Sequence, residues 1–251
     1  MKKISFKNKY GLTLRGFVVE PKKVDTAIIF LHGFPGHCQG FTGTRVMKTI
    51  SKTNYLLLMF DFSHGGKSDG RFEDKVMSKE VDDIKCAIDF LEKKYDYKQL
   101  VLIGISTGAI DASLYAHRDK RIDKLVLLGA ESDTKHSVRY DFTDQQVHDF
   151  WTKGYITYNQ PGKWYHRKRL KKAFYDEFFT LDIPKAIKKY KRPLLIIHGE
   201  HDEAVPLRDG EQLFAMANKP KKIAVIRESD HRFSKPLHFL KVVKIIHDFI
   251  K

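Results

Sequence analysis

Six short, unbroken apolar runs punctuate this chain: AIIFL (27–31), YLLLMF (55–60), LVLIG (100–104), KLVLLG (124–129), PLLIIHG (193–199) and KIAVI (222–226). Runs of this length without polar alternation are the mark of strands buried on both faces of a parallel sheet. Between them the period changes. From Ser78 to Lys94, Val81, Ile84, Ile88 and Leu91 form one stripe of an amphipathic helix. After Ser106 come Ala109, Ala112 and Ala116 with Ile110 and Leu114, small enough to pack closely on a sheet. The last segment, Pro236 to Lys251, places Leu240, Val243, Ile246 and Ile250 on one predicted stripe. Strand alternating with helix argues for an α/β fold with a mostly parallel sheet and helices on both faces.

Two further strands precede this pattern. KISFKN and LTLRGFVVE alternate in polarity around the turn signal NKYG, which predicts an N-terminal hairpin and brings the strand count to eight. One interval breaks the rhythm. About sixty residues separate the strand ending near Ala130 from the one starting at Pro193, far more than a plain crossover needs. They carry Phe142, Phe150, Trp151, Tyr155, Tyr158, Trp164, Tyr165, Phe174, Tyr175, Phe178 and Phe179. The expected organisation is a core of 1–130 and 191–251 with a cap or lid insertion at 131–190, after the sixth strand. That aromatic content points to an apolar acyl or aryl pocket.

With 251 residues the chain buries enough surface to fold without staples. Cys38 and Cys86 form no CxxC or metal pattern, which fits a reduced, cytoplasmic protein. The start, MKKISFKNKYG, lacks the apolar stretch of a signal peptide, and no run is long enough for a membrane span. The net charge of +15 raises the question of nucleic acid. However, the lysines are spread over nearly every segment, and only HRKRLKK (166–172) is dense, so a solvated surface is the expectation and no specific nucleic acid.

In an open parallel sheet, ligands bind where the strands end. The runs are followed by HGFPG (32–36), DFSHGGKSDG (61–70), ISTGA (105–109), HGEHDEAVP (198–206) and RESDHRF (227–233). Histidines, acids, glycines and one serine thus converge on one side. Ser106 stands in a G-x-S-x-G turn between strand and helix. A serine hydroxyl is a weak nucleophile until a base takes its proton, and the base needs an acid to fix its tautomer. His231, after the last strand, and Asp202, in the loop before Pro206, supply that pair in the chain order Ser, acid, His.

On these motifs the chain resembles the α/β-hydrolase superfamily over nearly its whole length, most like small carboxylesterases of the cinnamoyl (feruloyl) esterase and monoacylglycerol lipase type. Where those relatives often carry GHSQGG, this chain has Ile105 and Thr107-Gly108-Ala109. The resemblance implies a serine esterase with Ser106, Asp202 and His231 as catalytic residues and an oxyanion hole of the Phe34 and Thr107 N–H groups. It implies no metal and no organic cofactor, and a small-molecule ester of a short acyl or aryl acid as substrate; a homodimer is compatible with it. Thioesterase, lipase or amidase activity on the same residues is the alternative, and a catalytically silent hydrolase fold used for binding is the rival of another class.

Other patterns point elsewhere. His198, Glu200, His201 and Asp202 lie close in sequence, but a strand precedes them where a zinc pattern of the HExxH kind needs a helix. GGKS (65–68) evokes a phosphate loop, yet Asp61 stands where its first glycine belongs. Cys38 reads as a packing residue, and His32 and His64 as supports of their loops. Glu203 and, further off, Asp133 are the other candidates for the acid.

Overall fold

In the computed structural model, which describes residues 1–50 and 52–251, all six apolar runs are strands. In chain order the elements begin with β1 (Lys2–Lys7), β2 (Thr13–Val19), β3 (Thr26–Leu31), α1 (Phe41–Ile50) and β4 (Tyr55–Asp61). Next come α2 (Met77–Lys94), β5 (Gln99–Ile105), α3 (Thr107–Tyr115) and β6 (Ile122–Leu128). The long interval forms α4 (Thr134–Asp141), α5 (Asp144–Lys153), β7 (Tyr155–Thr157), β8 (Arg169–Lys171), α6 (Lys172–Glu177) and α7 (Ile183–Ile187). Finally come β9 (Leu194–Gly199), α8 (Leu207–Met216), β10 (Lys221–Ile226) and α9 (Pro236–Ile250).

Eight strands make one sheet in the order β1-β2-β4-β3-β5-β6-β9-β10. The hairpin β1–β2 and the β2–β4 pair are antiparallel, and every other pair is parallel. Successive strand residues point to opposite faces, and here both faces are covered. Ile29, Leu31, Leu58, Leu102 and Leu127 pack into a cluster with residues of α2 and α3. Ile28, Phe30, Ile103, Val126 and Leu128 pack on the other face with residues of α1 and α9.

Two expectations need correction. KIAVI is a strand but not a buried one: β10 pairs with β9 alone at the sheet edge, and Val225 is 43% exposed. On α9 the buried stripe is Phe239, Val242, Ile246 and Ile250, so Leu240, at 56% exposure, faces outward. Sequence periodicity alone cannot choose between two adjacent apolar stripes on one helix; the position of the sheet does.

The interval 131–190 packs most of its aromatic residues on one another. Phe142 meets Phe150, Tyr175 and Phe178 edge-on, at centroid distances of 5.2, 5.8 and 5.7 Å. Phe174 stacks on Phe34 at 4.7 Å, which joins this aromatic cluster to the loop after β3. The basic run 166–172 is tied into the surface. Lys168 lies over Trp164 and Arg169 over Tyr155, while Lys171 pairs with Asp74 and Lys172 with Asp176. Among the described residues no helix is long and apolar enough to cross a membrane.

The β5–α3 junction explains the G-x-S-x-G spacing. A Cβ on Gly104 would overlap the carbonyl oxygen of Gly108, and a Cβ on Gly108 would lie 2.7 Å from the His32 carbonyl oxygen. The two glycines therefore let strand, helix and the end of β3 meet backbone to backbone. Added side-chain atoms at such contacts cost typically about 1–3 kcal/mol. Gly104→Ala and Gly108→Ala are each expected to lower the unfolding free energy by about that amount, measured by urea denaturation; a change within error for either would refute the close-approach account.

Candidate active site

Ser106 sits between β5 and α3 with φ 56° and ψ −129°, a left-handed conformation that a serine adopts only under constraint. Its backbone is held on both sides: the N–H donates to the Leu128 carbonyl at 3.0 Å, and its carbonyl accepts from Ala109 N–H at 2.7 Å. Gly33 passes so close that a Cβ there would stand 2.9 Å from the Ser106 Cβ. The side chain consequently projects from the tip of the turn into a cavity of about 550 Å³.

His231 lines the same cavity. Its Nδ1 lies 2.8 and 3.0 Å from the two carboxylate oxygens of Asp202. Asp202 in turn accepts from Ala204 N–H at 3.0 Å and Val205 N–H at 2.7 Å, and its side chain is fully buried. A carboxylate has only acceptors, so the tautomer of the neutral imidazole that fits this contact carries its proton on Nδ1 and leaves Nε2 as an acceptor. Among the described residues Ser106 Oγ makes no hydrogen bond to His231; the cavity that both line is what joins them.

Glu203, the other candidate acid, accepts from the His231 backbone N–H at 3.1 Å, so it anchors the histidine loop and leaves the ring to Asp202. Asp133 caps α4 by accepting from Lys135 N–H. Buried His198 points its Nε2 at the Val205 carbonyl at 2.8 Å and at Asp202 Oδ2 at 3.4 Å, bracing the acid loop. Among the described residues no three of His, Cys, Asp and Glu are grouped so as to hold a metal ion.

The loop after β3 folds over the start of α3. Phe34 N–H donates to the Thr107 hydroxyl, which brings the two residues expected to supply N–H donors into contact. Pro35 carbonyl accepts from Trp164 Nε1 at 2.9 Å, tying this loop to the interval 131–190. Asp61 holds the loop from below, accepting from Cys38 N–H at 2.7 Å and Lys67 N–H at 2.8 Å. Burial holds His32 down to about 4, so its ring is neutral near pH 7. The His64 ring faces the Arg71 carbonyl at 3.0 Å, and burial pushes the Cys38 thiol up and away from reactivity.

Several contributors were not singled out by the sequence, Asp141, Lys163 and Arg232 among them, whereas Trp164 and Tyr165 belong to the aromatic content noted there. Asp141, Lys163, Trp164 and Tyr165 line the cavity from the long interval, and Arg232 from beside His231. Of the many aromatics there, only these two reach it, so the wall is more polar than the composition suggests. Gly129 ends the run KLVLLG in the left-handed region, with φ 53°, directly beneath the acid–base pair. A Cβ there would stand 2.9 Å from His231 Cε1 and 3.2 Å from Asp202 Oδ2.

Comparison with known proteins identifies the family and the fold. Residues 22–177 match the family described as serine aminopeptidase, S33, and the chain belongs to that family. It is 24% identical to YfhR of Salmonella typhi over 241 residues, 91% of this chain and 73% of that one. It is 25% identical to the bifunctional esterase/perhydrolase DCH of Acinetobacter calcoaceticus, over 71% of this chain and 75% of that one. Among solved structures, Est1E from Butyrivibrio proteoclasticus with ferulic acid bound superposes with a TM-score of 0.81 at 24% identity, covering 98% and 99% of the two chains. The fold is that of the α/β-hydrolases, and the chain is a hydrolase of that class.

Gly129→Ala tests the packing beneath the pair. A left-handed residue with a Cβ costs about 1–2 kcal/mol, read by urea denaturation, and the His231 ring is expected to shift. The Nδ1 proton of His231, followed by NMR, should move or broaden; an unchanged resonance would show that Gly129 does not set the ring's position.

Proposed function

We propose that this hydrolase is a serine carboxylesterase acting through an acyl-enzyme. Ser106 Oγ attacks the ester carbonyl while His231 Nε2 takes its proton, and Asp202 holds the resulting imidazolium through Nδ1–H. The oxyanion lies against the N–H groups of Phe34 and Thr107. His231 then returns the proton to the leaving alcohol, and water repeats the sequence in reverse to free the acid. The observation that carries this reading is His231, held by the buried Asp202 carboxylate, lining one cavity with a serine held at φ 56°.

Two features refine it. Phe34 N–H is engaged by the Thr107 hydroxyl, so an entering carbonyl oxygen takes over or shares that donor. Residues 131–190 act as the cap, supplying Asp141 and the Lys163–Tyr165 stretch to the cavity wall. Ester chemistry is further supported by the esterase/perhydrolase among the relatives and by the ferulic acid bound to Est1E.

A panel of nitrophenyl esters, a thioester and an aminoacyl nitroanilide tests the assignment. Ester turnover by the wild type should exceed the other two, and Ser106→Ala should lose about 10⁴-fold or more in kcat. Asp202→Asn, which leaves a carbonyl oxygen and an amide in place of the carboxylate, should lose about 10⁴-fold through the wrong tautomer. Retention of activity in Ser106→Ala would remove it as nucleophile. No turnover of any substrate by the wild type would favour a silent binding protein.

A further inference from the structure

A second cavity, of about 330 Å³, lies between α1, α9 and the sheet face that carries Phe30, Ile103 and Leu128. Protein interiors hold few voids larger than a water molecule, and a dry apolar void of about 150 Å³ already admits benzene. This chamber is not sealed, because Leu240 and Lys244 on its wall are both exposed. The outward turn of Leu240 on α9, unexpected from the sequence, places an apolar side chain at its rim.

The chamber adjoins the candidate active site. Phe30 and Thr42 line both cavities, and Phe233 in its wall follows His231 by two residues. Arg45 ties the two together. Its guanidinium lies 4.0 Å from the ring centroid of Phe239, a chamber residue, and 5.0 Å from that of Phe41, a residue of the catalytic cavity. Its Nη1 donates to the Phe233 carbonyl at 2.9 Å.

Of the polar side chains in its wall, Tyr55, His247 and Lys244 already have partners. Tyr55 OH and His247 Nδ1 lie 2.7 Å apart, and Lys244 pairs with Asp248 at 2.6 Å. A free fatty acid would need a cation there for its carboxylate. Bare hydrocarbon needs none, provided its polar end lies elsewhere. We infer that this chamber is a subsite for the aliphatic acyl chain of an ester whose carbonyl lies at Ser106, an inference that rests on the esterase reading. The chain passes from the catalytic cavity between Phe30 and Thr42, and the enzyme's substrates are medium-chain aliphatic esters.

Burying a methylene is worth about fourfold in binding, so the wild-type kcat/KM ratio of nitrophenyl decanoate to acetate should be well above one. Val46→Phe and Val242→Phe, which fill the chamber, should lower that ratio by about tenfold or more. Leu240→Trp, at the exposed rim, carries the same test without altering the core, and melting curves identify the folded variants. An unchanged ratio in a folded variant, or a wild type that prefers acetate, would overturn the subsite. Titration of methyl decanoate into Ser106→Ala reads the chamber without catalysis. Binding that weakens with Val46→Phe supports it, whereas binding indifferent to that change counts against it. Ester hydrolysis surviving in Ser106→Ala would instead overturn the nucleophile, and the chain-length ratio would still report on the chamber.

Discussion

Everything at this site depends on how closely two backbones can approach at the end of β5. Ser106 is held at φ 56°, a conformation that costs a serine about 1–3 kcal/mol. The surrounding packing supplies much more. All nine residues of α3 are buried, Ile110, Leu114 and Tyr115 among them, and each large apolar side chain buried is worth about 1.5–3 kcal/mol. The helix can sink that far only because Gly104 and Gly108 put no side chains between strand and helix. Strain at one residue is thus maintained by burial of its neighbours, and the hydroxyl is displayed where the helix begins.

The acid–base pair is built on the opposite principle, with polar groups satisfied one by one. The Asp202 side chain is fully buried, and an unpaired carboxylate in that position would be expelled or neutralised. Two backbone N–H groups and the His231 ring donate to it, and His198 lies within 3.4 Å. Glu203 fixes the His231 backbone. The pair is held from the loops after β9 and β10 and from beneath by Gly129, so three strand ends determine one imidazole's orientation. An edge strand such as β10 is suited to this, because the loop that follows it is not crowded by a further strand.

The strands and the polar residues at their ends were legible because both depend on short-range pattern. Unbroken apolar runs mark buried strands, and glycine, serine, aspartate and histidine at their ends mark loops on one side of a sheet. Ser106, Asp202 and His231 therefore stand out from the sequence pattern alone. What could not be read depends on long-range packing. Gly129 looks like any strand-ending glycine until the loop after β10 returns to cover it. Asp141 and Lys163 sit in an interval whose local pattern says only that it is aromatic, and most of those rings face one another. KIAVI has the composition of an interior strand, but its place at the edge follows from sheet order, which no single segment encodes.

The same reasoning separates the two faces of the sheet. On the α2–α3 face, leucines and isoleucines from strands and helices close up with the aromatic interval into one core. On the α1–α9 face the helices leave a chamber beside Phe30, although the strand residues under it are as apolar as those opposite. Composition is therefore not what keeps it open. Arg45 spans from α1 to Phe239 and to the Phe233 carbonyl, bridging α1 and α9 near the cavity that Ser106 and His231 line. Because Phe233 lies two residues beyond His231, the packing that shapes the chamber also bears on the loop that carries that histidine.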